Sequence, residues 1–370
     1  MVYYLAYYGR KGFRSSNYAA EDKIDYICET LESIGEKVTI ISSSKSSNGK
    51  FQKSENIRIS SNREVVFFSS IPRNNTLLKV IDSLFSKFQL MWFFLIHIHR
   101  DDTVLVYHSL AYGNMIKVLH GIKKFKYILE VEELYQYIRA NTSKFKSKED
   151  SIIQNADGYI FSNSVIGNRI NTTKKMCTVV NGVYKSCPQL DVKKRDRCIV
   201  YAGTLEPQKG IDYVLDTAEL LPTGFEIHVA GFGSQKDIDH LLTRIEQENK
   251  KNGAQIIFDG SFKGSEYIQY LQTFKVGICI QNPDDDFNKY EFPSKVFSYM
   301  SNGLQVVAND LIQLRNSSIF PYLHISTSTD PKDIALAIIE AVDSEGINCI
   351  TVLNKLNEDF KKQMKGLIGG

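Results

Sequence analysis

Two lysines stand where a phosphate could be held. Lys295 follows Pro293-Ser294 at the start of a short amphipathic segment that ends at Asn302-Gly303. Val296, Phe297, Tyr299 and Met300 fall on one helical face, so the segment reads as a helix with one buried side, and Asn302-Gly303 supplies its stop. Lys209 precedes Gly210, shortly after the apolar stretch 199–202 and the turn Gly203-Thr204. A cation in the first turn of a helix works against the helix dipole. Beside free backbone N–H groups it instead helps to form an anion site. Gly203 allows close approach to the backbone, and the N–H groups of Gly203, Thr204 and Val296 are the expected donors. The chemistry of such a set is to hold a diphosphate and stabilise the negative charge that develops when it leaves.

The elements that must position these residues are legible around them. Apolar runs at 199–202, 226–230, 255–258, 276–280 and 304–308 read as strands. They end in Gly203-Thr204, in Gly231-Phe232-Gly233-Ser234 and in Asp259-Gly260-Ser261-Phe262, with helical segments between them, one of them at 211–221. Strands that alternate with helices imply a parallel sheet, with ligands at the carboxyl ends of the strands. Phe232 and Phe262 stand at such ends, where a nucleobase could lie; packing of loop aromatics is the competing reading. Gly231-Phe232-Gly233 lacks the third glycine of the dinucleotide fingerprint, Asp237 standing near that position, which argues against an oxidoreductase. The acidic run Asp284-Asp285-Asp286 reads as a solvated loop rather than a metal site.

The N-terminal half repeats the pattern. A strand at 3–8, a loop rich in Gly, Ser and basic residues at 9–16, a helix at 17–34 and a strand at 37–41 form one β–α–β unit. The Ser-rich stretch 42–52 reads as a surface loop, 57–60 and 64–69 as paired strands, and 103–107, 126–130, 158–161 and 177–180 as later strands. Lys11 and Gly12 follow the first strand and could touch phosphate or acceptor. His108 follows the strand 103–107. Glu130, Glu132 and Glu133 cluster at another strand end, where a carboxylate could orient or deprotonate a hydroxyl. Alternation would put Glu130 and Glu132 on the same side if the strand continues. A structural histidine and a solvated acidic helix start account for the same residues.

Length and composition fit this outline. At 370 residues the chain is long enough for two domains, and 43% hydrophobic with 24% charged residues is ordinary for a globular protein. A net charge of +3 argues against a dedicated nucleic-acid binder. The six cysteines show no C-x-x-C pair and no metal-ligand spacing, so a reducing compartment is expected; Cys279, in an apolar strand, reads as a small buried hydrophobe. The expected domains are 1–190 and 198–345, joined across a charged linker within 184–197, with a polar helix in 346–370. No signal peptide is expected. The aromatic segment 85–96 is too short to span a bilayer. It reads as a buried helix of the first domain, the alternative being a surface for membrane or lipid acceptor.

The succession Tyr201-Ala202-Gly203-Thr204-Leu205 with Lys209-Gly210, then Ala230-Gly231-Phe232-Gly233, Phe258-Asp259-Gly260 and Phe292-Pro293-Ser294-Lys295-Val296-Phe297-x-Tyr299-Met300-x-x-Gly303, resembles the C-terminal half of retaining GT-B glycosyltransferases. The resemblance spans roughly residues 198–310 and points to the family 4 group, which includes many bacterial polysaccharide-assembly enzymes. The N-terminal half is similar at lower specificity, through 3–8, the glycine loop and Leu129-Glu130-Val131-Glu132-Glu133-Leu134-Tyr135.

The resemblance implies an α/β protein of GT-B architecture: two Rossmann-like domains facing across a cleft, with the C-terminal helix returning to the first. It implies retaining transfer of a hexose-type sugar from a UDP or GDP sugar to a saccharide acceptor, lipid-linked, in surface or capsular polysaccharide synthesis. The enzyme would be cytoplasmic or peripheral on the inner membrane face, would use no cofactor or metal and would not bind nucleic acid. The catalytic set would be Lys209, Lys295, His108 and Glu132. Gly12, Gly203, Thr204, Gly231, Phe232, Phe262, Glu291, Ser294, Val296 and Ser298 would bind the donor, with backbone near Phe262 meeting the base edge. The family usually carries two glutamates here, the second on the donor ribose. In this chain Ser298 takes the second position, and Tyr290, beside Glu291, takes the first. These departures admit a second reading, a catalytically inactive nucleotide-sugar-binding protein of the same fold.

Overall fold

The computed structural model describes residues 1–138, 143–285, 288 and 290–369. Asp286, the last residue of the acidic run, lies outside the described residues. The chain divides into two compact units, one of Met1–Val183 with Asp359–Gly370, the other of Tyr184–Glu358.

The first unit holds strands β1 (Val2–Ala6), β2 (Val38–Ser42), β3 (Glu55–Arg58), β4 (Arg63–Phe67), β5 (Thr103–Tyr107), β6 (Lys126–Val131), β7 (Gly158–Phe161) and β8 (Met176–Val179). They lie in the order β3-β4-β2-β1-β5-β6-β7-β8. All neighbours are parallel except β3 and β4, which pair antiparallel across Ser61-Asn62. The helices are α1 (Tyr18–Ser33), α2 (Thr76–His97), α3 (Gly113–Lys123), α4 (Tyr135–Ile138), α5 (Ser143–Gln154) and α6 (Ser164–Ile170). Every residue of β1, β2 and β7 is buried, as expected of parallel strands covered on both faces. Asn17 caps α1 and Asn75 caps α2 through side-chain oxygens that accept from Ala20 and Leu78 N–H.

Two expectations fail here. The Ser-rich stretch is not a simple surface loop. Ser44 and Ser46 are buried, as is Arg14, whose guanidinium donates to the carbonyls of Ser44, Lys53 and Phe68. The Ser44 carbonyl meets the guanidinium and the Ser46 hydroxyl donates to the Lys50 carbonyl, so these groups are buried with polar partners. Nor is 85–96 a buried helix. In α2 only Asp82, Ser86, Leu90 and Phe94 are buried. Phe88 and Trp92 are 58% and 57% exposed, and Leu77, Leu84, Leu95 and Ile96 are also exposed. The inward side is mixed, Asp82 and Ser86 with Leu90 and Phe94, while most of the helix's apolar side chains face outward. Its density of apolar residues gave no sign of direction.

The second unit holds β9 (Cys198–Thr204), β10 (Glu226–Phe232), β11 (Gln255–Gly260), β12 (Val276–Cys279), β13 (Gln305–Asn309) and β14 (His324–Ser326). Their order is β11-β10-β9-β12-β13-β14, all parallel. Renumbered from β9 this is the order 3-2-1-4-5-6 of dinucleotide-binding sheets. Helices α7 (Ile211–Leu215), α8 (Gln235–Glu248), α9 (Ser265–Gln272), α10 (Lys295–Ser301), α11 (Ile312–Arg315) and α12 (Pro331–Asp343) connect the strands. The helix expected over 211–221 ends at Leu215 and gives way to a short 3-10 turn at Ala218–Leu220. Asp237 is accounted for by a capping box with Ser234 at the start of α8. The core contains Ile199, Tyr201, Ile227, Val229, Ile278 and Val307 among others.

The last helix, α13 (Cys349–Gly369), begins in the second unit and ends in the first. Rather than polar throughout, it is amphipathic, with Phe360, Met364 and Leu367 buried. In the first unit Phe360 stacks on Tyr26 at 5.5 Å, and Gln363 accepts a 2.6 Å hydrogen bond from Thr178.

Candidate functional site

In an open parallel sheet, ligands bind where the strand order reverses. In the second unit that point lies between β9 and β12. The expected donor residues gather on the elements that leave it. Gly203 and Thr204 end β9, and Lys209 sits in the 3-10 turn Pro207–Lys209 that follows. Glu291, Ser294, Lys295, Val296 and Ser298 lie on the loop after β12 and on α10. The loop is pinned at both ends. Gln281 N–H donates to Asn309 Oδ1 at 3.0 Å and its carbonyl accepts from Asn309 Nδ2 at 2.9 Å. Nearer α10, Gln313 donates to the carbonyls of Asn288 and Glu291.

The two lysines are held differently. Lys209 Nζ lies 3.3 Å from Glu291 Oε2, a partly exposed ion pair. Lys295 runs inward. Its Nζ donates to the Tyr201 hydroxyl at 2.8 Å, and it lies 4.2 Å from the centre of the Tyr201 ring. Burial, helped by the nearby Lys209 charge, lowers the Lys295 ammonium to about 8. The Tyr201 hydroxyl donates to the carbonyl of Thr204 at 2.8 Å, so strand end, turn and helix start are tied together through one phenol. Tyr299, fully buried on α10, accepts from Ala202 N–H at 2.8 Å and fixes the helix on β9.

Gly203 was expected to make room for a ligand. The space is instead occupied by this chain, since an added Cβ would meet Lys295 Cε at 2.4 Å. At Gly231 a Cβ would fall 1.8 Å from the Gly203 carbonyl oxygen, and at Gly210, in the left-handed region, 1.9 Å from that of Ile280. Gly231 and Gly210 let neighbouring strand ends close on one another.

Phe232 ends β10 and is 64% exposed. Phe262 is packed, its ring stacked on Tyr270 at 4.3 Å. Ser298 Oγ shares a 3.1 Å hydrogen bond with the hydroxyl of Tyr267 on α9. Sequence reasoning missed Tyr201 and Tyr267. Tyr201 reads from its neighbours only as a strand residue, and Tyr267 is brought to Ser298 by a contact between helices far apart in sequence. It also missed Cys198, Glu226 and His228, whose ligating atoms lie within 4.8 Å of one another at the start of β9 and β10. In that group Asp259 Oδ2 lies 2.7 Å from His228 Nδ1, and Arg195 lies 3.4 Å from Nε2. All six cysteines are free, and Cys279 is buried.

The switch point of the first sheet lies between β1 and β5. Gly12, in the left-handed region, sits in the exposed turn between Arg10 and Arg14 after β1. His108 follows β5 but is buried, with Nε2 2.8 Å from the buried Glu149 Oε1 and Nδ1 without a hydrogen-bond partner. Glu132 follows β6 and is gripped by Lys23, whose Nζ lies 2.6 and 2.8 Å from its two oxygens. Glu130 is fully buried and accepts from the Tyr4 hydroxyl. Burial raises its carboxyl well above the usual range, and the charge of Glu132 raises it further.

Residues 196–344 match the family model for group 1 glycosyl transferases. No curated protein matches the chain. Among solved structures, sucrose-phosphate synthase from Thermosynechococcus elongatus is 14% identical with a TM-score of 0.65, covering 99% of this chain and 97% of its own. The α,α-trehalose-phosphate synthase (UDP-forming) from Burkholderia xenovorans, in complex with glucose-6-phosphate, is 9% identical with a TM-score of 0.64 over 100% and 99%. An E. coli trehalose-6-phosphate structure bound with UDP-2-fluoro glucose is 10% identical with a TM-score of 0.63 over 100% and 97%. The second unit thus carries a match to the group 1 glycosyl transferase model, and the chain shares the fold of these synthases, the GT-B architecture.

Proposed function

We propose that the protein moves a hexose-type sugar, with retention at the anomeric carbon, from a UDP or GDP sugar to a saccharide acceptor. The acceptor proposed is lipid-linked, in surface polysaccharide assembly, met by an enzyme peripheral to the membrane. The observation that carries the reading is Lys295, a cation drawn inward at the switch point of the second sheet. A partly buried ammonium is costly unless an anion compensates it. With Lys209 it would stabilise the diphosphate as the glycosidic bond breaks. The leaving oxygen would then accept the proton of the attacking hydroxyl on the same face of the sugar. Phe232 would meet the base, and Ser298 with Tyr267 the ribose. On the acceptor side Glu132, oriented by Lys23, would position a hydroxyl, and His108 would support the same region. The similar structures bound with UDP-2-fluoro glucose or named UDP-forming favour uridine over guanosine.

A thermal-shift screen of UDP and GDP sugars tests the donor, and proton NMR of the product tests retention. Stabilisation by UDP-glucose-type donors with an α-linked product is expected. Activity should persist in excess chelator, because the proposed charge stabilisers are lysines. Donor binding without transfer to any acceptor would favour the inactive binding protein, and no donor binding would overturn the proposal.

A further inference from the structure

A surface helix normally turns its apolar side to the core, but most apolar side chains of α2 lie on its outward side. Its inward side carries Asp82 and Ser86 with Leu90 and Phe94. Asp82 is 0% exposed and accepts from Ser70 Oγ at 3.0 Å and Ile71 N–H at 2.8 Å, while the Ser86 hydroxyl donates to the Asp82 carbonyl at 2.8 Å. Those bonds fix which side faces in. The outward side is then a continuous stripe that includes Leu77, Leu84, Phe88, Trp92, Leu95 and Ile96, all exposed. The neighbouring α3 adds exposed Val118 and Ile122, and Lys123 Nζ ties the two helices by donating to the Leu95 carbonyl at 3.0 Å. Contiguous exposed apolar surface of this extent marks an interaction site.

Charge selects the occupant. Asp82 is the one carboxylate in α2 and α3, and it is buried. Lys79 and Lys87 on α2 and Lys117 and Lys123 on α3 leave the surface cationic. A second copy of the chain would bring the same lysines against each other, and the apolar stripe is wider than a coiled-coil seam. An anionic lipid surface matches both features, with aromatic and aliphatic side chains entering the headgroup boundary and lysines meeting phosphates. No helix among the described residues is long and apolar enough to cross a membrane, so the helix would lie on the surface. We infer that the face of α2 and α3 docks the first unit on an anionic bilayer. The inference rests on the proposed membrane-borne acceptor and names the surface and lipid class that would bring the enzyme to it.

Trp92 is the one tryptophan of the chain and stands in the proposed contact, so it reports directly. The full-length protein is titrated with phosphatidylcholine vesicles and with vesicles that also contain phosphatidylglycerol. Co-sedimentation and a blue shift of Trp92 emission are expected with the anionic vesicles only, reversed by high salt. Leu84→Ser with Phe88→Ser should abolish binding at an unchanged melting temperature. Lys79→Gln with Lys87→Gln should weaken it roughly tenfold or more. Absence of binding to anionic vesicles, or equal binding to both kinds, would overturn the inference. So would a dimer broken by the same apolar substitutions in a protein that ignores vesicles. Thermal shift with UDP sugars on the same preparation separates the two ideas. Donor binding without vesicle binding removes only the docking surface, and vesicle binding without donor binding removes only the glycosyl-transfer reading.

Discussion

A Cβ on Gly203 would lie 2.4 Å from Cε of Lys295. The glycine at the end of β9 and the lysine at the start of α10 are therefore one device: the missing side chain is the channel through which the ammonium reaches Tyr201. Gly203→Ala should push Lys295 aside, the clash being with the outer part of a flexible side chain, and should also strain the backbone, since Gly203 has φ +155°. A misplacement of about 1 Å at a reacting centre can lower rate about 100-fold. A loss of that order is expected in the folded variant, with a lowered melting temperature from the strained backbone. Wild-type turnover in the folded variant would separate the two residues functionally.

Lys295→Ala should cost on the order of 100-fold in kcat, as for loss of one preorganised charge stabiliser. The pH dependence follows from the ammonium's lowered value of about 8. Below that pH the free enzyme offers a cation to the diphosphate, and above it the amine is neutral. Log kcat/KM should therefore fall as pH rises through about 8, and the fall should vanish in Lys295→Gln. Stability has the opposite sign. The unfolded lysine holds its proton to a higher pH than the folded one, so the unfolded state binds more protons between the two values and stability rises with pH in that window. A wild-type profile flat from neutral pH to well above 8 would show that Lys295 does not titrate at the donor site.

Much of the second unit could be read from the chain, because β9 to β13 are built on apolar residues and β9, β10 and β11 end at or beside glycines, whereas β14 gave no such signal. Both are local signals. The first sheet was legible for the same reason, down to the antiparallel pair of β3 and β4. What escaped was direction and partnership. Nothing local says that α2 buries Asp82 and exposes Trp92, because an apolar segment has no preferred side until its polar residues find partners such as Ser70. Nor could Lys295 be assigned to Tyr201, or Ser298 to Tyr267, since both pairs are set by tertiary packing. The expectation that Gly203 clears space for a ligand named a real vacancy and the wrong occupant.

Ser298 and Tyr267 should act on the donor as a unit, because their hydroxyls share one 3.1 Å hydrogen bond. Ser298→Ala and Tyr267→Phe should each weaken nucleotide-sugar binding by roughly 0.5–1.5 kcal/mol, the value of one neutral hydrogen bond. The double variant should lose less than the sum, since either change breaks the shared bond. Calorimetric titration with UDP measures all three. Strict additivity, or no effect from either, would place the ribose elsewhere.

The two sides of α2 should respond in opposite ways to truncation. Phe94 is fully buried and packs edge-on against Phe125 at 5.8 Å. Phe94→Ala leaves a cavity in the first unit and should cost roughly 3–5 kcal/mol. Trp92, two residues earlier, is 57% exposed, and Trp92→Ala should change stability by no more than about 0.5 kcal/mol. Phe93 lies between these cases, half-buried, its ring 6.1 Å from Tyr3 and 5.8 Å from Phe68, so Phe93→Ala should fall between the two in melting temperature. Denaturant unfolding of the three variants ranks them. This orientation requires the order Phe94, Phe93, Trp92 from most to least destabilising. A helix packed with its aromatic stripe inward would make Trp92→Ala as damaging as Phe94→Ala, and that result would return α2 to the core.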